Sequence, residues 1–203
     1  VDRNASVRTI TVSFAGPEVR TNPTSVGNDI QPVWAGGETL TFKCGDQTED
    51  VVVPSSAANN TSFEFTTELQ GTIEVYYPGG TSDYDKYWDA SGNVKIPASL
   101  SGDFATANLC KGMVAADGTN PALENKTALF VITPPAGVKQ FTVTSLMTIV
   151  NGQRTEGTAA KIADNAIVIT VGDNSAALDE CYVALAEGVD LSALSDLYTT
   201  DAT

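Results

Sequence analysis

Apolar and polar residues alternate one for one along most of this chain. Ile10, Val12 and Phe14 alternate with Thr9, Thr11 and Ser13, and Leu40, Phe42 and Cys44 alternate with Thr39, Thr41 and Lys43. The same rhythm returns at Phe63 and Phe65, at Ile73, Val75 and Tyr77, and at Phe141 and Val143. It returns again at Ile167, Ile169 and Val171 and at Cys181, Val183 and Leu185. Successive side chains of a strand point to opposite faces, so a period of two predicts strands with one buried face. The stretch Thr127-Ala-Leu-Phe-Val-Ile-Thr133 is nearly all apolar and predicts a strand covered on both faces. Thr, Val, Ile and aromatic residues dominate these runs, as a pleated surface prefers.

Turn signals separate the runs: Pro78-Gly79-Gly80, Ser91-Gly92-Asn93, Asp117-Gly118, Pro134-Pro135 and Gly172-Asp173. Asn151-Gly152 has the residues of a type I′ turn, and predicts a hairpin between strands ending near Val150 and starting near Gln153. Helical spacing occurs only in Asp190–Tyr198, at Leu191, Leu194 and Leu197, with Asp190 as its cap. Residues 15–33 and 78–93 are rich in Gly, Pro, Asn and Ser and read as loops. About ten short strands with polar outer faces, and at most one or two short helices, predict an all-β, antiparallel β-sandwich. Residues 1–7 read as a flexible N-terminus, 8–190 as a single β-sandwich domain, and 191–203 as a short helix and loose tail.

Composition narrows what such a fold does. The chain has 203 residues and a net charge of −14, from 11 Lys and Arg against 25 Asp and Glu, with no histidine. Nucleic acids and anionic membranes recruit basic patches, so neither is an expected partner. The lack of histidine excludes Ser-His-Asp and Cys-His catalysis and any His-ligated metal site. The longest apolar run, Ala128–Ile132, is too short for a transmembrane segment. Cys44 and Cys181 fall in phase with apolar faces and read as small buried hydrophobes; a Cys44–Cys181 disulfide stays open, because pairing depends on a Cα separation that sequence does not give. No cofactor is expected.

Two clusters carry candidate chemistry. Asp83, Asp85 and Asp89 fall close together on one loop, the residue type that holds Ca²⁺, although the EF-hand glycine and terminal glutamate are missing. Tyr84, Tyr87 and Trp88 share that segment and form a candidate binding loop for sugar rings or a protein partner, if exposed. No spacing singles out a pair of carboxylates for glycoside hydrolysis, so the chain reads as non-catalytic.

A longer set of features has a definite order. It runs Ile10-Thr-Val-Ser-Phe14, Arg20-Thr21, Trp34-Ala-Gly-Gly-Glu-Thr-Leu40, Phe63-Glu-Phe65 and Gly71-Thr-Ile-Glu-Val-Tyr-Tyr-Pro78. Val94-Lys-Ile-Pro97, Lys111-Gly-Met-Val-Ala115, Ala128–Ile132 and Cys181-Tyr-Val-Ala-Leu185 complete it. This order, over residues 8–187, resembles the N-terminal domain of the fimbrillin-like proteins of Bacteroidetes-type bacteria. The resemblance implies a transthyretin-like sandwich and a lipoprotein or secreted pilus subunit at the cell outer membrane or in the fimbrium, active in cell adhesion. It implies other fimbrial subunits, or host or bacterial surface ligands, as partners. It further implies assembly by donor-strand exchange: an Arg-specific protease removes a first strand, and a strand of the next subunit fills the groove. Carried onto this sequence, Ile10, Val12 and Phe14 are the groove fillers and Arg20 the processing point. The chain departs from the family pattern by ending soon after the first domain and by lacking an N-terminal cysteine for lipidation. A carbohydrate- or protein-binding sandwich module using the aromatic loop is the alternative.

Overall fold

The computed structural model describes residues 7–15, 18–21, 26–30, 32–118, 122–147, 160–163, 166–185 and 189–190. In chain order the strands are β1 (Arg8–Ser13), β2 (Glu18–Thr21), β3 (Val26–Ile30), β4 (Thr39–Cys44), β5 (Gln47–Val52) and β6 (Ser62–Thr67). Next come β7 (Ile73–Tyr77), β8 (Ser99–Leu100), β9 (Cys110–Val114), β10 (Glu124–Asn125) and β11 (Ala128–Ile132). The last are β12 (Gln140–Met147), β13 (Ala160–Ala163), β14 (Ala166–Gly172), β15 (Cys181–Leu185) and β16 (Val189–Asp190). Two single helical turns, α1 (Tyr84–Tyr87) and α2 (Phe104–Ala107), and a 3₁₀ turn at Ser55–Ala57 interrupt them. The protein is all-β, as the alternation predicts, with more and shorter strands than the expected ten.

Several of the extra strands lie where the sequence signal is weakest. Residues 15–33, expected as loop, hold β2 and β3, which form a separate two-stranded sheet. Residues 78–93, also expected as loop, hold the turn α1. The predicted Asn151-Gly152 hairpin, the Asp190–Tyr198 helix and the tail to residue 203 lie outside the described residues, apart from Asp190 itself, which ends β16.

Contacts gather the described residues into two compact units, where the sequence reading counts residues 8–190 as one domain. The first draws on the segments Val1–Val19, Asp29–Tyr84 and Cys110–Asn125. Its layers are the antiparallel pair β1-β6 and a five-stranded sheet ordered β10-β9-β7-β4-β5. In the pair, Ile10 lies opposite Phe65 and Val12 opposite Phe63. Between the layers Ile10, Val12, Phe14 and Phe63 meet Leu40, Phe42, Val51, Ile73, Val75 and Tyr77, all buried. The predicted apolar phase of β1, β4, β6 and β7 is the phase that faces this core, and removing such side chains from water is the main term holding the layers together.

The second unit draws on Arg20–Asn28, Asp85–Leu109 and Lys126–Thr203. Here β11 pairs with β15, and a second sheet runs β13-β14-β12-β16. One short parallel pairing, β8 against β14, joins that sheet through Thr170–Ser99 and Val171–Leu100. Phe141, Val143, Ile169, Val171, Cys181, Val183 and Leu185 fill the core of this unit, again in the predicted phase. Ala128–Ile132 is less enclosed than expected: Phe130 and Val131 are buried, while Ala128, Leu129 and Ile132 are half-buried.

Candidate functional site

The site implied by the ordered motifs is the seat of β1 in the first unit. Ile10, Val12 and Phe14 are 0%, 3% and 7% exposed, so all three proposed groove fillers are buried. Phe14 does most to fix the end of the strand. Its ring stacks on Trp34 at 4.1 Å and meets Tyr77 edge-on at 5.9 Å. Trp34 also packs edge-on to Phe63 at 5.2 Å and to Tyr77 at 5.6 Å, so Phe14 completes an aromatic cluster.

Why Trp34 stands there follows from the Trp34-Ala-Gly-Gly-Glu38 segment. The Glu38 carboxylate accepts the N–H groups of Ala35 at 2.5 Å and Gly36 at 2.7 Å, folding the segment back on itself. Val53 N–H donates to the Glu38 carbonyl at 2.8 Å, which ties this turn to the end of β5. The Trp34 backbone is held on both sides, donating to Asn60 at 2.9 Å and accepting from Asn59 at 2.8 Å.

Along its length β1 pairs with β6, from Arg8 opposite Thr67 to Ser13 opposite Ser62. Its end also meets Leu123 on the other side: Leu123 N–H donates to Ser13 at 2.7 Å, and Ala15 N–H donates to Leu123 at 2.8 Å. The strand therefore sits in a slot between β6 and Leu123, over the apolar face of the five-stranded sheet. At its start, beside Val7, a cleft of about 850 Å³ is lined by Thr48, Glu49, Thr67, Glu68 and Leu69. β5 and β6 are the outer strands of their sheets among the described residues, and Thr67 Oγ1 donating to Glu49 Oε2 at 2.8 Å spans them.

Arg20, the expected processing point, lies on β2 within the β2-β3 pair, and not in an irregular loop. A two-stranded ribbon in isolation is marginally stable.

The aromatic loop does not form. Tyr84, Tyr87 and Trp88 are 8%, 3% and 1% exposed, so their rings offer no stacking platform. Tyr84 packs edge-on to Tyr76 at 5.2 Å, and Lys43 Nζ stands 3.8 Å from its ring centre. Tyr76 donates its phenol hydrogen to Glu74 at 2.8 Å. Burial, and then the hydrogen bond and charge of Glu74, hold that phenol protonated well beyond its ordinary range. Lys111 completes the cluster, 3.4 Å from Glu74 and 4.9 Å from the Tyr76 ring centre.

The calcium triad does not form either. Asp89 Oδ1 accepts the N–H groups of Ser91 and Asn93, each at 2.8 Å, and Oδ2 accepts the Asn93 amide at 3.1 Å. Partial burial raises the Asp89 pKa, but the hydrogen bonds from Asn93 and Ser91 and the charge of Lys95 outweigh it and leave the carboxyl below its usual range. Asp89 is thus the organiser of a tight turn. Among the described residues no three acidic or thiol side chains are placed to hold a metal ion, so Asp83, Asp85 and Asp89 do not converge.

The three cysteines are free thiols. Cys110 and Cys181 are buried in the cores of their respective units, as small hydrophobes, and Cys44 is half-buried.

One residue of the β1 seat escaped the sequence reading. Arg8 shares the inward parity of Ile10, Val12 and Phe14, and its guanidinium donates to the carbonyls of Leu69, Gly71 and Ala116. The parity was visible in sequence, but an arginine in phase with apolar residues reads as a surface charge until its acceptors are seen.

Comparisons with protein-family models, with curated proteins and with solved structures find no match.

Proposed function

We propose that this protein is a non-catalytic, cell-surface structural or adhesion subunit of fimbrial type, which joins its neighbours by strand addition. The observation that carries this reading is β1. It is the first of the described strands, its inward residues Ile10, Val12 and Phe14 are buried in a slot, and the next two strands form a separate two-stranded ribbon that contains Arg20. A strand with this arrangement can be exchanged. Its outgoing side chains leave pockets at alternate positions, and the backbone of β6 offers a row of N–H and C=O groups to a replacement. Each fully buried side chain of this size contributes about 1.5–3 kcal/mol, so an emptied slot is a strong attractor for another apolar strand.

The ordered resemblance to fimbrillin-like proteins supports the same reading and supplies its setting: a lipoprotein or secreted subunit on the outer surface, with other subunits or surface ligands as partners. The alternative, a carbohydrate- or protein-binding module using Tyr84, Tyr87 and Trp88, finds those three rings buried.

The test is limited digestion of the native protein with an Arg-specific protease, followed by N-terminal sequencing and light scattering. The expected product begins at Thr21 and forms multimers. A product that begins at Thr21 and stays monomeric and folded refutes the reading.

A further inference from the structure

The start of β1 is tied down by one guanidinium. Arg8 Nε donates to Leu69 O at 2.9 Å, Nη2 to Gly71 O at 2.6 Å and Nη1 to Ala116 O at 3.3 Å. These contacts join β1 to the connection between β6 and β7 and to the chain that follows β9. The bonds do not stop at Leu69. Its N–H donates to Thr67 Oγ1 at 3.0 Å, and Thr67 Oγ1 donates in turn to Glu49 Oε2 at 2.8 Å. Thr67 stands directly opposite Arg8 in the β1-β6 register, and Glu49 lies on β5, the outer strand of the facing sheet.

The chemistry of Thr67 fixes how these bonds depend on one another. Thr67 is 3% exposed, so its hydroxyl must find its partners within the protein. A hydroxyl has one proton to donate and two lone pairs to fill. Glu49 takes the proton, which turns a lone pair toward the Leu69 N–H. Leu69 is thus held at its N–H by Thr67 and presents its C=O to Arg8. Arg8 and Glu49 form no ion pair with each other; the pair seen among the described residues is Lys111 with Glu74. What links them is a chain of three hydrogen bonds that runs from β1 through the end of β6 to β5. Glu49, Thr67 and Leu69 all line the cleft beside Val7.

We propose that Thr67 and Glu49 are positioning residues for Arg8, so that the hold on the start of β1 is set at the wall of this cleft. The hydroxyl and the carboxylate orient Leu69, and Leu69 orients the guanidinium that fastens the strand. This is a conformational device within the chain. It stands whether or not another strand ever takes the place of β1.

The test is hydrogen exchange of the β1 amides in the native full chain, read by NMR or mass spectrometry. Arg8→Gln should raise the rate about tenfold or more, as lost charge-assisted bonds require. Thr67→Val, nearly the same shape without the hydroxyl, should raise it about threefold or more, and Thr67→Ser should keep it near native. The deciding readout is the double-mutant cycle. Arg8→Gln combined with Thr67→Val should raise exchange by less than the product of the single effects, because both changes break one chain of bonds. Arg8→Gln combined with Glu49→Gln should behave in the same way, but only while Thr67 is present. Effects that simply multiply overturn the proposal, and so does unchanged exchange in the single variants. Coupling of Arg8 to Glu49 that survives Thr67→Val is attraction through space and overturns it as well. If Arg8→Gln does not fold, Arg8→Lys supplies the same cycle, since a compact ammonium cannot match all three carbonyls.

Discussion

Replacing Phe14 by alanine in the intact chain removes the ring that closes the aromatic cluster at the end of β1. Phe14 is 7% exposed and stacks on Trp34 at 4.1 Å with 25° between the ring planes. Truncating a buried phenylalanine costs about 3–5 kcal/mol through lost transfer energy and the cavity left behind. Two features pull the figure toward the lower end. Phe14 follows the last residue of β1, where the slot narrows to the bridge with Leu123, and part of the cavity can fill with water. Among the described residues the buried Trp34 indole N–H meets no acceptor, so a water admitted there gains a partner. The expected loss is about 2–4 kcal/mol. Urea unfolding followed by tryptophan fluorescence measures it, with a Trp88→Phe background so that emission reports Trp34. The native emission of the variant should also shift to the red as water reaches the indole. A loss below about 1 kcal/mol with unchanged emission would show that Phe14 is not a filler of the core and would refute the reasoning about the slot.

Other outcomes follow from the same structure. Trp88→Ala, at a side chain 1% exposed, should cost about 3–5 kcal/mol of stability in thermal or urea unfolding; a fully stable variant that loses glycan binding would restore the aromatic-loop reading. Asp89 has a folded pKa below the usual carboxylate range, so its contribution to stability is present above the unfolded value of about 3.9 and fades as pH falls through the folded one. Asp89→Asn should therefore flatten the acid limb of the stability profile, and an identical limb in both proteins would contradict the hydrogen-bonded turn. In the native protein a thiol reagent should label half-buried Cys44 before Cys181. Burial, and then the charges of Asp103 and Asp179, push the Cys181 thiol up, so it presents little thiolate; faster labelling at Cys181 would contradict that burial.

The strands that sequence revealed are those in which alternation and burial coincide. In β1, β4, β7 and β15, and in β12 at Phe141 and Val143, every second residue is apolar because one face of the strand lies on a core. β5 was invisible for the opposite reason. It is an outer strand, Gln47-Thr-Glu-Asp-Val-Val52, in which only Val51 is buried while Val52 is 62% exposed. β2 and β3 hide in a stretch whose Gly, Asn and Pro content signals turns. The two-unit organisation has no compositional boundary to betray it, because the chain passes between the units several times. At the site, Ile10, Val12 and Phe14 were legible from periodicity. Arg8 was not, because its receptor is made of main-chain carbonyls that are 61 to 108 residues away in sequence. The burial of the aromatic loop was not legible, because a turn-rich segment does not fix which side chains face the core. Tyr84 and Tyr87 sit three residues apart, the spacing of one helical turn, and that turn buries both.

The central claim, that subunits join when β1 gives up its slot, is tested most directly by locking the strand in place. Thr9 and Thr66 are exposed and directly opposite in the β1-β6 register, and directly opposite residues of an antiparallel pair have Cβ atoms about 4.5–5.5 Å apart, near the reach of a disulfide. Thr9→Cys with Thr66→Cys, in a Cys44→Ser background, should give an oxidised protein that stays monomeric after cleavage at Arg20. The same sample should form multimers once reductant is added, with both states read by light scattering. Multimers of equal size with the disulfide intact would mean that β1 never has to leave, and would contradict the account.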